Sequence, residues 1–163
     1  MQVSNSDLDQ WTADAALHMP EITGVNRIAL LRALCSQESS YGKLANPRHE
    51  ISWCPLSRTV SHVAKSRHEV WGCLSCMSYG VLQGLYHSIA DAYIESNPAR
   101  LIDQRVAFNS AIALLIHKIK AQNLTTVSSI ADAWNSGSAH DVIVPSSYIT
   151  SVNVYYSQEL NRI

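Results

Sequence analysis

Glu38 stands in "CSQESSYG", where an apolar helical pattern ends, among small and hydroxylated neighbours. A carboxylate there is poorly placed electrostatically, because the C-terminal end of a helix dipole is negative and makes ionisation costlier. Such a carboxyl tends to keep its proton, which is what a general acid working near neutral pH requires. The dipole is worth at most about 1 kcal/mol, so burial against the apolar turn of Leu34 and Cys35 is expected to supply most of the shift. Two other stretches, "SYGVLQ" at 78–83 and "AWNSG" at 133–137, share a feature with the first. Each puts a polar residue and a glycine at the end or turn of an apolar segment. Glycine lets backbone approach a partner closely, and the polar groups beside it can face a cleft.

The elements that must position these residues read as helices. Residues 7–18 form a short helix capped by Ser6 or Asp7 and stopped by Pro20. From Val25 to Ser39 apolar residues recur at three- and four-residue steps, with Gly42 as the natural end. The stretch from Asn46 to about Gly72 contains Pro47, Pro55 and no sustained period, and reads as a long loop carrying a short helix around 59–70. Gly80 and Gly84 bracket an apolar turn, after which a helix resumes toward Tyr93 until Asn97 and Pro98 break it. Leu101–Gln122 holds the clearest apolar stripe and is expected to be the central buried helix. A further helix starts near Thr125 or Thr126 and closes at Gly137. A last one starts at Pro145 and runs through "SSYITSVNVYYSQELNRI". Alternating strand patterns are almost absent, so the class is mainly α, in one domain spanning 1–163.

The three stretches, in this order, closely resemble the lytic transglycosylase family of lysozyme-like murein hydrolases. That family's signature is a catalytic Glu followed by Ser, then "GLMQ", then "AYNAG". The matching residues are Glu38, Ser39 and Ser40; Gly80, Val81, Leu82 and Gln83; and Ala133, Trp134, Asn135, Ser136 and Gly137. "VPSSYITSV" is similar to the opening of the family's C-terminal helix and assigns Tyr148 to the cleft. Val81 and Leu82 replace the family's Leu and Met at similar volume, and Trp134 keeps an aromatic plate while losing the Tyr hydroxyl. The separation from Glu38 to Gly80 is long for the family; the excess holds Trp53, Cys54, Cys73 and Cys76 and reads as an insertion beside the cleft, where this fold carries a small β region between 46 and 76.

The resemblance implies a lysozyme-like fold and cleavage of the β-1,4 MurNAc–GlcNAc bond of peptidoglycan glycan strands. Glu38 acts as acid and then as base, and the C6 hydroxyl closes on C1 to give a 1,6-anhydro sugar. Gln83 and Asn135 hydrogen-bond N-acetyl or hydroxyl groups of the sugar, Tyr148 supports Glu38 or the transition state, and Ser40 lines the cleft while Ser39 is structural. Tyr79, Trp134 and Tyr155 offer stacking surfaces. No cofactor is implied. Between Glu38 and Gly80 the other acids are Glu50 and Glu69. A hydrolytic muramidase using Glu38 with Glu50 is therefore the near alternative, because hydrolysis needs a second carboxylate about 5–9.5 Å from the first. A catalytically silent glycan-binding or structural protein is the alternative from another class.

Composition narrows the partners. The formal net charge of −1 supplies no general attraction for nucleic acid. No run approaches the roughly 18 apolar residues of a membrane span, and the N-terminus has neither the basic lead nor the apolar core of a secretory signal. The expectation is a monomer made in the cytoplasm that acts on the cell wall, in the periplasm or delivered by a virion, as a phage lysin or a conjugation-type wall opener does. Four cysteines, Cys35, Cys54, Cys73 and Cys76, leave buried thiols, two disulfides or a zinc site built on "CLSC" open. The histidines show no close ligand spacing, and no metal site is assigned.

Overall fold

The protein is described by a computed structural model over residues 2–54, 61–137 and 146–163. These residues are mainly helical, with one small three-stranded antiparallel sheet. Helix α1 (Asn5–His18) is capped two residues earlier than its pattern indicates, by Ser4, whose hydroxyl accepts from the Asp7 N–H. Helix α2 (Arg27–Ser39) starts at Asn26, whose side chain accepts from the Ala29 N–H. It ends at Ser40, which takes the left-handed conformation (φ 51°) and sends its N–H back to Cys35 and Ser36.

Helix α3 (His62–Trp71) matches the short helix expected inside the long loop. A short α4 (Tyr86–Asp91) follows the hairpin described below. The helix expected from Leu101 is split in two: Pro98–Ile102 is a 3-10 turn, and α5 (Gln104–Gln122) begins beyond it. The physical reason is Asp103, whose carboxylate accepts from the N–H groups of Arg105 and Val106 and so caps a new start. Helix α6 (Val127–Ser136) opens on a reciprocal capping box between Thr126 and Ser129 and closes at Gly137 (φ 97°). Helix α7 (Ser146–Leu160) follows; its expected first residue, Pro145, lies outside the described residues.

Two apolar clusters flank α5. Leu30, Leu31 and Leu34 of α2 pack with Phe108, Ile112 and Leu115 of α5, Ile130 of α6 and Val152 of α7. Tyr79, Tyr86, Ile89 and Leu101 pack with Ala107 and Leu114 of α5. The helix expected to be central therefore contributes side chains to both cores. Fully burying an aliphatic or aromatic side chain is worth about 1.5–3 kcal/mol, so these clusters fix the relative positions of α2, α5, α6 and α7.

The region between α2 and α4 is built differently. Strand β1 (Arg48–His49) pairs with β2 (Met77–Tyr79), with Arg48 opposite Ser78 and His49 opposite Met77. Strand β2 pairs in turn with β3 (Gly84–Leu85). The β region expected between 46 and 76 thus contains β1, while β2 and β3 lie just past it. The turn joining β2 to β3 is closed by a 3.1 Å bond from the Gln83 N–H to the Gly80 carbonyl. Gly80 has φ 71°, and a Cβ there would stand 2.7 Å from the Ala107 Cβ. Only glycine lets this turn press against α5.

Candidate active site

Glu38 occupies the last turn of α2 and faces a cleft of about 260 Å³. Gln83 from the β2–β3 turn and Trp134 and Asn135 from the end of α6 line the same cleft. The Tyr148 hydroxyl, from the first turn of α7, donates to Glu38 Oε1 at 2.5 Å. Four of the sequence-predicted residues therefore meet around one carboxyl, although Tyr148 lies 110 positions from it.

The placement follows from local structure. The buried Ser39 hydroxyl donates to the Cys35 carbonyl and accepts from the Gly42 N–H, which stitches the helix end shut directly after Glu38. Helix α7 packs along α2, and the Tyr156 hydroxyl accepts from the Asn26 N–H at the far end of that helix. Tyr148 and Tyr156 thus hold α7 against both ends of α2. On the third side, Lys118 of α5 donates to the Ala133 carbonyl at 2.6 Å and anchors the α6 turn that carries Trp134 and Asn135.

The electrostatics favour a protonated acid. Burial raises the proton affinity of the Glu38 carboxyl above the usual range, and the nearby Glu50 adds to it. The Tyr148 hydrogen bond and the attraction of Arg48 pull the other way, and burial prevails. Because Oε1 accepts from Tyr148, the proton of neutral Glu38 sits on Oε2. The Tyr148 phenol is itself pushed up by burial and by the facing carboxyl, so it stays a donor. Burial also lowers the proton affinity of Lys118.

Gln83 has an unusual state. It sits at φ 48°, is 7 % exposed, and its amide NH₂ donates to the Gly80 and Asn46 carbonyls at 2.7 and 3.3 Å. Its buried carbonyl oxygen Oε1 has no hydrogen-bond partner among the described residues. An unsatisfied buried acceptor at a cleft costs about 1–3 kcal/mol, which a ligand N–H or O–H recovers.

The opposite wall was not assembled from the sequence. Glu50 lines it, and one carboxylate oxygen accepts from Arg48 Nε at 2.8 Å and from the Ser78 hydroxyl at 2.7 Å. Trp53 stands beside it, its ring stacked on His87 with centroids 5.1 Å apart. Arg48, Ser78 and Lys118 are cleft residues that sequence reasoning did not single out, and Trp53 was expected only as part of the insertion beside the cleft. Lys118 carried a usable signal, since it falls on the Ala111, Leu114, Leu115 stripe where an apolar residue belongs.

Three expected residues lie elsewhere. Tyr79 is fully buried with its hydroxyl donating to the Leu74 carbonyl, so its ring packs into the second core instead of facing a sugar. Ser40 is exposed and serves as the left-handed cap of α2, away from the cleft lining. Tyr155, also considered for stacking, packs against the first core. Among the described residues no helix is long and apolar enough to cross a membrane. The chain matches no family model, no curated protein and no solved structure.

Proposed function

We propose that this protein is a peptidoglycan lytic transglycosylase with a lysozyme-like fold, cleaving the β-1,4 bond between MurNAc and GlcNAc. The observation that carries this is Glu38: a partly buried carboxyl of raised proton affinity, hydrogen-bonded by Tyr148, in a cleft whose lining adds amides, hydroxyls and two indoles to the charged groups of Arg48, Glu50 and Lys118. Amides match neutral sugar groups because each offers donor and acceptor. Trp134 offers a flat apolar face to a sugar ring, and the unsatisfied Gln83 oxygen accepts from an N-acetyl N–H.

Glu38 Oε2 delivers its proton to the glycosidic oxygen, and the C1–O4 electron pair leaves with that oxygen. The resulting Glu38 carboxylate is stabilised by Tyr148 and by the attraction of Arg48. It then takes the proton of the MurNAc C6 hydroxyl while O6 bonds to C1, which yields the 1,6-anhydro sugar and restores the acid. Atoms balance without water, so one carboxylate suffices.

Glu50 favours a second reading, a hydrolytic muramidase, because it lines the same cleft and is oriented by Arg48 and Ser78. Hydrolysis would use it to activate water or to stabilise the oxocarbenium-like transition state. Mass spectrometry of digested sacculi separates the two. Anhydromuramic ends are expected, and reducing ends carrying solvent oxygen would establish hydrolysis. Intact sacculi that bind the protein but release no fragments would leave only a glycan-binding role.

A further inference from the structure

The region between β1 and β2 gathers ligating atoms that the proposed cleavage does not use. A ring nitrogen of His49 and the sulfurs of Cys54 and Cys76 all lie within 4.8 Å of one another. Cys54 and Cys76 are buried, and His49 is exposed at the edge of the group. Cys73 stands three residues before Cys76 on the 3-10 turn Gly72–Cys76 and acts electrostatically on the Cys76 thiol. Cys73 is exposed and lies outside that group of three, but it supplies a further thiol from the same turn as the buried Cys76. In sequence the four form two chelating pairs, His49-x4-Cys54 and Cys73-x2-Cys76, and antiparallel pairing of His49 with Met77 brings the pairs together.

We propose that His49, Cys54, Cys73 and Cys76 bind one zinc ion in a tetrahedral Cys3His site. Three thiolates and an imidazole suit zinc and not magnesium or calcium, which take oxygen ligands. Four protein ligands leave no open position, so the site is structural and not catalytic. Zinc binds thiolates, so the thiol protons pass to solvent on binding.

The placement gives the ion a purpose. His49 and Cys54 flank Glu50 and Trp53, and Cys76 precedes Ser78, the hydroxyl that holds Glu50. These segments bury little apolar surface of their own: β1 is exposed, the 3-10 turn Ile51–Trp53 has no buried residue, and α3 buries Ala64 alone. Small units without a core commonly rely on a metal in its place.

The site is tested on the full chain purified under reducing conditions, with no cell-wall substrate present. About one zinc per chain is expected by elemental analysis. Replacement by cobalt should give thiolate-to-cobalt charge-transfer absorption and the intense visible bands of a tetrahedral ion. His49→Ala and Cys73→Ser should each weaken zinc binding at least about tenfold, since even the loss of an outer-shell partner of a ligand costs that much, while Cys35→Ala keeps one zinc per chain. The native cobalt spectrum decides the matter even if a cysteine variant fails to fold. A folded, reduced protein that takes up neither metal would overturn the proposal, and so would a native Cys54–Cys76 disulfide found by peptide mapping.

Discussion

The two walls of the cleft are held by different physics. On one side Glu38 rides on α2, whose Leu30, Leu31, Leu34 and Cys35 are wholly buried and which is clamped by α1 and α7. On the other side Glu50 and Trp53 sit on short strands and turns fixed by polar contacts. The Arg48–Glu50 pair, the Ser78 hydroxyl, the Trp53–His87 stack and the Arg67–Asp91 pair at 2.8 Å do that work. Close packing leaves a side chain few alternatives, whereas exposed ion pairs are each worth about 0–1 kcal/mol. The acid is therefore placed by the core, and its facing carboxylate by a network that many conditions can loosen. In the proposed cleavage the acid must meet one oxygen atom within hydrogen-bond reach, while a wall that grips a glycan benefits from give.

The largest effect expected from this contrast lies at Glu38 itself. Glu38→Gln removes the transferable proton and should cut sacculus turnover by about 10²–10⁴-fold, as loss of a general acid does. The same change should stabilise the fold. The folded-state proton affinity of Glu38 is raised, so stability is full below the unfolded carboxyl's value of 4.5 and falls as pH rises through the folded one. At neutral pH Glu38 carries this cost, whether it is ionised in place or held protonated, and glutamine lacks it. Each kcal/mol recovered raises Tm by about 2–4 °C for a chain of this size. An inactive variant that melts lower than the native protein at pH 7 but not at pH 4 would break the assignment.

Packing on the two walls differs by nearly as much. Leu34→Ala, at a wholly buried position of α2, should cost about 2–5 kcal/mol in denaturant unfolding. Val63→Ala, on the exposed face of α3, should stay within about 0.5 kcal/mol. Native-state hydrogen exchange sharpens the same point. Amides of α2 and α5 should open only with global unfolding, while those of 48–54 and 62–76 exchange through local opening. Equal protection on both walls would show that the insert is as firmly built as the core.

The contrast also separates what could be read in the sequence from what could not. The α2 and α5 stripes are periodic because each helix buries a continuous face, and their bounds come close to the structure. The acid and its amides were legible because each sits at a glycine-marked end of such a stripe. Strands of two or three residues are too short to alternate, so β1, β2 and β3 left no period. Their polar residues, Arg48 and Ser78, looked like ordinary loop residues. Tyr79 misled because its neighbours in "SYGVLQ" face the cleft while alternation along β2 turns its ring into the core. The His49-x4-Cys54 spacing was visible too, but it gains meaning only once the sheet lays it beside "CLSC".

The smallest effects are shifts in the pH profile, and they probe how far the two walls speak to each other. Tyr148→Phe deletes the hydrogen bond that favours ionised Glu38. The carboxyl then holds its proton more tightly, and the alkaline limb of the activity profile should move up. Turnover should also fall by about 10–10²-fold, because the carboxylate formed after proton delivery loses a donor worth about 1.5–3 kcal/mol. Glu50→Gln works in the opposite sense for two reasons. It removes a negative charge that raises the Glu38 proton affinity, and it leaves Arg48 without its carboxylate, so that the guanidinium attracts Glu38 more strongly. The alkaline limb should move down by a few tenths of a pH unit, since screening at a partly exposed ion pair keeps the effect small. Under the transglycosylase mechanism Glu50→Gln retains most of its turnover and still yields anhydro ends. Loss of turnover as deep as that of Glu38→Gln would instead make Glu50 the second carboxylate of a hydrolase.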